Sequence, residues 1–313
     1  MFLAKDSFVK GAFLSALGGV CWALSGTFGQ YLFEVGGFDA VWLTTVRLLA
    51  AGVIMLAISF AKKGRSTIFL WKERRDRIEL LLYGLLGMAG VQITYFGAIQ
   101  FSNAATGTLI QYTGSVIIVI YVALRAFHLP NKSEMIAVLL AVGGLFLLST
   151  HGDIHTLVFS RNALIVGLMS AVLMAFYSLE PRRLLHKFDT LRVNGWGMML
   201  GGILMFFIRQ PWELGGGTLD FKCLLATGGV VLFGTILSFF FFMEGVRIIG
   251  SDLAVLYAAV EPLTAAIVGI LWFGIPFGLI DWIGAAMIVS TVFIISLAPR
   301  WGKGKYGSGE PEA

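Results

Sequence analysis

The segment from Ser251 to Phe273 constrains this chain most: a hydrophobic run interrupted near its middle by Glu261-Pro262. At about 23 residues it can form a helix that crosses a hydrocarbon core of about 30 Å, which sets Glu261 near the midplane. An ionised side chain there costs on the order of 2.5 to 3.5 kcal/mol on insertion scales unless it faces a polar cavity or a partner. Pro262 has no backbone N–H and crowds the carbonyl of Ala258. The helix is therefore predicted to kink and to leave that oxygen free for water, a side chain or a ligand. A carboxylate and a spare carbonyl then share one depth. The plainer reading is a kinked helix with Glu261 protonated or paired for structure alone; an intramembrane ionisable group is read as functional by default.

Composition places the whole chain in lipid. It is 58% hydrophobic and 13% charged, against about 25% charged in a soluble domain, too little charge to solvate a surface. The net charge of +5 does not mark a nucleic-acid partner, because the basic residues lie between the apolar spans, where they set orientation. Cys21 and Cys223 fall in or at the edge of apolar segments, so neither a disulfide framework nor a metal site follows. Lys5 and Lys10 precede an apolar run from Gly11 to Phe33 that is too long for an ordinary signal-peptide core and lacks a clear cleavage site. It reads as a retained first span.

Apolar runs between polar punctuation predict ten membrane helices, at 11–33, 38–61, 78–100, 103–127, 133–151, 162–184, 191–210, 221–244, 251–273 and 277–298. The charges test that count. With the N-terminus in the cytoplasm, of the 23 Lys and Arg residues only Arg161, Arg209 and Lys222 fall outside, and only Arg47 lies within a span. One helix more or fewer would reverse every later loop and destroy the asymmetry, so both termini are expected inside.

The chain also repeats itself. Phe38-Asp39 before the second span is answered by Phe188-Asp189 before the seventh, Ala51-Gly52 by Gly201-Gly202, Leu129-Pro130 by Ile275-Pro276, and Glu134 by Asp281. A five-helix unit has an odd number of crossings, so its second copy enters upside down. Inverted repeats of this kind are a signature of secondary transporters, with the binding site near midplane where the repeats meet.

Two tandem five-helix units, the passage from Phe96 to Tyr121 with Gln111-Tyr112 inside it, and the strings Val260-Glu261-Pro262-Leu263, Ile275-Pro276-Phe277 and Asp281-Trp282-Ile283-Gly284-Ala285 resemble the EamA repeat of the drug/metabolite transporter superfamily. The likeness runs over residues 11 to 298. It implies an all-α integral membrane protein whose ten transmembrane helices form two inverted EamA repeats, 11–151 and 162–298, followed by a disordered cytoplasmic tail, 299–313. It also implies an exporter or permease for small metabolites, in the plasma (inner) membrane, with a central cavity lined mainly by the first, third, fourth, sixth, eighth and ninth helices. Two departures stand out. Gly114-Ser115 replaces a proline usual in the fourth helix, and Ile275 replaces an acidic residue before the later proline. The first departure is expected to leave helix four smoother than helix nine.

Candidate site residues follow from polarity at depth. In the first helix, Trp22 and Ser25 share a face among Gly18, Gly19 and Gly26; they line the cavity or pack a groove. Arg47 keeps its charge and needs a carboxylate, carbonyls or an anionic substrate group. A structural clasp is favoured, with Glu34, Asp39 and Glu261 as partners to consider. Gln92, Tyr95, Thr106, Thr108, Gln111, Tyr112 and Thr113 make helices three and four rich in neutral hydrogen-bonding groups, suited to a polar, uncharged or zwitterionic solute or to contacts between helices. Tyr177 and Glu180 follow on helix six, the latter read as an ion pair with Arg182 and Arg183; Tyr257 stands one turn before Glu261. Gly197 and Gly201 license close helix packing. The segment Lys62 to Arg77, with Phe69, Leu70 and Trp71 inside it, reads as a cytoplasmic loop on anionic headgroups.

The function expected is a secondary-active exporter of a small metabolite such as an amino acid, working by alternating access, with Glu261 as candidate proton-coupling group. No G-x-x-x-x-G-K-[ST] loop is present, which argues against direct use of ATP. A passive pore and an intramembrane enzyme are the alternatives. For the enzyme, His151 and His155 flank Asp153 but lack the third ligand a zinc ion would want; no metal or cofactor is expected.

Overall fold

The computed structural model describes residues 2–125, 132–151 and 159–297, and among them the ordered elements are all helical. The helices are α1 (Phe2–Glu34), α2 (Ala40–Lys63), α3 (Arg74–Phe101), α4 in two pieces (Ala104–Tyr112 and Gly114–Arg125), α5 (Lys132–Thr150), α6 (Arg161–Leu179), α7 (Thr190–Ile208), α8 (Phe221–Ile249), α9 in two pieces (Ser251–Ala258 and Glu261–Phe273) and α10 (Leu279–Leu297). A 3-10 turn, Gly64–Trp71, follows α2, and a short helix, Arg182–Lys187, follows α6. Nine helices among the described residues are long and apolar enough to cross a membrane, and α10 carries a shorter apolar stretch, Leu279–Ile295. Their outward side chains are bare hydrocarbon: Phe207 and Leu271 are each 81% exposed, which suits lipid and not water. Leu129-Pro130, His128, His155 and the predicted tail 299–313 lie outside the described residues.

Helix starts follow from capping chemistry. Asp39 accepts from the N–H of Trp42, Asn103 from that of Thr106, Ser160 from Ala163, Asp189 from Arg192 and Asp220 from Cys223, each satisfying one donor that a helix start leaves over. Asp39 and Asp189 are the residues the sequence repeat set opposite each other. They start α2 and α7, which run antiparallel. Trp42, near the start of α2, donates its indole N–H to Pro211 O beyond the end of α7, at 2.8 Å. Trp196, near the start of α7, donates to Thr67 O beyond the end of α2, also at 2.8 Å. Between them, a Cβ on Gly52 would stand 2.8 Å from Met199 N and one on Gly202 would stand 2.8 Å from Leu49 N. Each glycine lets the opposite backbone approach, as small residues do between membrane helices.

The packing of the remaining helices keeps the same exchange of halves. Helix α1 lies against α8 and α9, α6 lies against α3 and α4, and α5 lies against α10. Among the described residues four apolar clusters fill the interior, the two larger around Leu48, Tyr83, Met88 and Met198 and around Leu43, Phe96, Ile99 and Val230, the two smaller around Leu109 and Ile288 and around Ala23 and Ala265. The starts of α3 and α7 define one end of the bundle, rich in Lys and Arg. The turns α3–α4 and α9–α10 define the far end.

Helices α3 and α8 each pass through a π-helical stretch, Tyr83–Gly90 and Leu232–Leu237. Such stretches shift the hydrogen-bond ladder by one residue and concentrate at functional sites. The expectation that helix four is smoother than helix nine is corrected here: α4 breaks at Thr113, as α9 breaks at Ala259-Val260. No proline is required because hydroxyls do the work. Thr113 Oγ1 donates to Ile110 O at 2.6 Å and Ser115 Oγ to Tyr112 O at 2.8 Å, local bonds that compete with the helical ladder.

Candidate functional site

The broken helices α4 and α9 meet at their breaks. Pro262 stands in the first turn of the second piece of α9, where its missing N–H would otherwise have served Ala258 O. That carbonyl has close neighbours on two sides. Tyr112 Oη approaches it at 3.5 Å, and Gly19 of α1 lies so close that a Cβ there would stand 2.4 Å from the oxygen. Glu261 opens the same piece, 8% exposed, where the unsatisfied N–H groups of a helix start attract negative charge. Tyr112, the last residue before the break in α4, donates its hydroxyl to Glu261 Oε2 at 2.9 Å. One hydrogen bond therefore joins the two discontinuities.

Arg47, 5% exposed, reaches from α2 to the π stretch of α8, where Nη2 donates to Gly234 O at 2.9 Å. Ser25 of α1 donates to Val230 O, one turn earlier, at 3.3 Å. Gly234 lies inside the π stretch, where the register loosens the helical ladder, and Val230 lies just ahead of it. Phe96 faces the guanidinium carbon at 5.3 Å, a cation–π contact. Neither Glu34 nor Asp39 serves Arg47: Gln30 donates to Glu34, and Asp39 pairs with Arg209 at 2.7 Å. Glu261, Tyr95 and Tyr177 are its electrostatic neighbours, yet among the described residues no direct ion pair joins Arg47 to Glu261. Among the described residues Arg47 thus contacts a carbonyl and an aromatic face.

Other sequence candidates surround these groups or stand apart. Tyr95 shares a hydrogen bond with Thr108 at 3.1 Å, and Gln111 donates to Ser170 of α6 at 2.8 Å. Trp22 packs against Phe239 and Phe242, and Gln92 is half-buried on α3. Tyr177 stacks on Tyr83, whose hydroxyl donates to Asn194 at 2.7 Å. Tyr257 lies edge-on to Phe8, ring centroids 6.3 Å apart. Glu180, half-buried at the end of α6, does not receive Arg183, which pairs instead with Asp76 and Glu79. Lys187 joins the same Asp76 at 2.7 Å. That basic-end cluster, and the bonds of Gln30 to Ala104 N and of Tyr83 to Asn194, were not foreseen.

At the far end a cavity of about 340 Å³ is lined by Asn103, Thr106, His151, Phe277 and Asp281 among others. His151 Nε2 lies 2.7 Å from Asp281 Oδ1, joining the end of α5 to the start of α10. Of the candidate site residues named above, from Trp22 to Glu261, Thr106 lines it, and Glu261, Tyr112 and Arg47 do not. His155 and Asp153, weighed with His151 as metal ligands, lie outside the described residues.

Comparison with known proteins gives the family. The profile of the EamA-like transporter family matches residues 9–150 and again 161–297. The chain is 36% identical over 293 residues to the uncharacterized inner membrane transporter YicL of Salmonella typhimurium, covering 93% of this chain and 96% of that protein. It is 22% identical over 277 residues to the uncharacterized transporter YyaM of Bacillus subtilis, covering 86% and 88%. A solved crystal structure, 17% identical, superimposes with a TM-score of 0.61 over 94% of this chain and 97% of the other, a likeness of fold. Matched along both halves and to a relative over nearly its full length, the chain is a multi-pass inner membrane protein that belongs to the EamA-like transporter family.

Proposed function

We propose that the protein is a secondary-active carrier that exports a small metabolite such as an amino acid by alternating access around a midplane site centred on Glu261. The observation that carries this reading is the hydrogen bond of Tyr112 to Glu261 between the two broken helices. Discontinuous helices at midplane are how secondary transporters build ion and substrate sites, because free backbone groups there serve a ligand instead of a ladder. In this reading Trp22, Ser25, Gln92, Tyr95, Gln111, Tyr177 and Tyr257 line the path, and Arg47 anchors it. α10 is the tenth crossing.

The two halves, 11–151 and 162–298, are read as inverted copies. Support comes from the reciprocal indole bonds of Trp42 and Trp196, the reciprocal glycine contacts of α2 and α7, and the π stretches and breaks at matching places. The basic end then faces the cytoplasm with both termini, and the cavity at His151 and Asp281 opens outward. Glu261 is the proposed proton carrier.

Reconstitution into liposomes tests this. Saturable counterflow of a labelled amino acid is expected, and substrate-independent conductance without saturation would establish a pore instead. Export that persists unchanged when the pH gradient is collapsed would remove proton coupling and leave the carrier.

A further inference from the structure

The turn between α2 and α3 is fastened on one side and bare on the other. Gly64 ends α2 with a φ of 55°, a left-handed conformation that glycine adopts freely, and Gly64–Trp71 then runs as a 3-10 turn past the start of α7. Its inner side is held by Arg192 Nη1, which donates to Ser66 O at 3.2 Å, by the indole of Trp196 on Thr67 O, and by the Ser59 and Thr67 hydroxyls 3.0 Å apart. Leu70 is fully buried behind them. That fastening fixes what faces outward. Ile68 and Phe69 are exposed, and so are Lys62 and Lys63 in the last turn of α2, Arg65 and Lys72 at the ends of the 3-10 turn, and Arg74 and Arg77 at the start of α3. None of these six cations meets a carboxylate among the described residues; Arg75 does, in Glu79. Lys72 Nζ stands 4.4 Å from the centre of the Phe69 ring instead. The cations of the same end that serve the fold are paired: Arg183 and Lys187 with Asp76, and Arg192 with Asp189.

We propose that the outer face of this turn, with the helix ends beside it, is a docking site for anionic phospholipid headgroups, the six free cations lying on phosphates and Ile68 and Phe69 at the boundary between headgroups and acyl chains. Orientation in the membrane requires cations on one side of it; it does not require them on a fastened turn that also bares two large apolar side chains. A segment with one apolar and one basic character lies in the interface plane, and each basic residue close to an anionic surface strengthens attachment about fivefold. Zwitterionic headgroups carry no net charge to answer six cations. A soluble acidic partner would answer the charges and leave the apolar pair in water, whereas a membrane takes both. Phe60 on α2 and Ile78 on α3, just before and just after the turn, are exposed apolar side chains as well, so lipid-facing surface reaches the turn from both of its helices. The proposal does not depend on the carrier reading.

The purified full chain in a neutral detergent is titrated separately with phosphatidylglycerol, phosphatidylcholine, inorganic phosphate and polyglutamate, and its melting temperature is read, since a ligand of the folded form raises it with its concentration over Kd. Phosphatidylglycerol is expected to raise the melting temperature well beyond the other three, and about 1 M salt to remove that excess by screening. The combined variant Lys62→Gln, Lys63→Gln, Arg65→Gln and Lys72→Gln changes exposed side chains only, and should bind phosphatidylglycerol about tenfold or more weakly. Should it fail to fold, Phe69→Ser keeps every cation and is also expected to lose about tenfold, the scale of leaving one phenylalanine in water. An equal rise with phosphatidylcholine and phosphatidylglycerol, or an undiminished rise in the combined variant, overturns the site. Inorganic phosphate that matches phosphatidylglycerol would make it a site for free anions. Polyglutamate that does so, with Phe69→Ser behaving as the parent, would assign the turn to a soluble acidic partner; both results likewise overturn lipid docking.

Discussion

Asp76 and Glu261 are both buried carboxylates, 0% and 8% exposed, and their surroundings could hardly differ more. Asp76, at the basic end, receives Arg183 and Lys187, with Glu79 and Glu73 sharing the same two cations. Every charge in that cluster has a counter-charge, and the cluster fastens the start of α3 to the segment after α6. Glu261 accepts from one phenol, and Arg47 donates to one carbonyl. A paired charge is spent on structure, whereas a charge held buried with unused hydrogen-bonding capacity is available to a ligand. The same contrast separates the two helix breaks: at Thr113 the side chains consume the carbonyls they free, while at Pro262 a carboxylate and a carbonyl remain in reach of partners on other helices.

Exchanging the charged groups for neutral ones should break this contrast in opposite directions. The largest effect is expected from Glu261→Gln. Transport should fall about 100-fold or more, the scale of losing one member of a buried charge pair, while the amide still accepts from Tyr112 and thermal unfolding shifts by less than about 1 kcal/mol. Asp76→Ala comes next. It leaves Arg183 and Lys187 without a carboxylate, and a loss of about 2 kcal/mol is expected in detergent unfolding, between the values for buried and exposed pairs because both cations are about a third exposed. Transport per folded molecule should change less than about threefold. Gly234→Ala should displace Arg47 and Ser25 from the π stretch of α8 and weaken transport about tenfold, a methyl-sized intrusion acting through the anchor. Smallest is Glu244→Gln, which removes an exposed partner of Arg247 at the end of α8; no measurable change in melting or flux is expected.

Much of the frame could be read from the residues. Asp39, Asn103 and Asp189 are helix-starting types and do start helices, and Pro262 interrupts α9 for the reason its chemistry dictates. The break at Thr113 was missed because Thr and Ser interrupt a helix only when their hydroxyls turn back on it, a choice of rotamer that sequence leaves open. No residue type demands the π stretches of α3 and α8, so nothing in Tyr83–Gly90 or Leu232–Leu237 announces them. The candidate site could be drawn up as a set of residues and not as contacts. Tyr112 and Glu261 both stood out, but their hydrogen bond spans two distant helices, and Arg183 was assigned to adjacent Glu180 when its partners lie on α3. Nearness in sequence was the only guide available, and the fold overrode it.

The most direct measurement is the stabilisation that a bound amino acid gives to three proteins: the parent, Glu261→Gln and Asp76→Asn, each purified whole and melted with and without the ligand that stabilises the parent most. The ligand-induced rise should vanish in Glu261→Gln and persist in Asp76→Asn on a lower baseline. A rise that survives intact in Glu261→Gln would contradict a site built on that carboxylate.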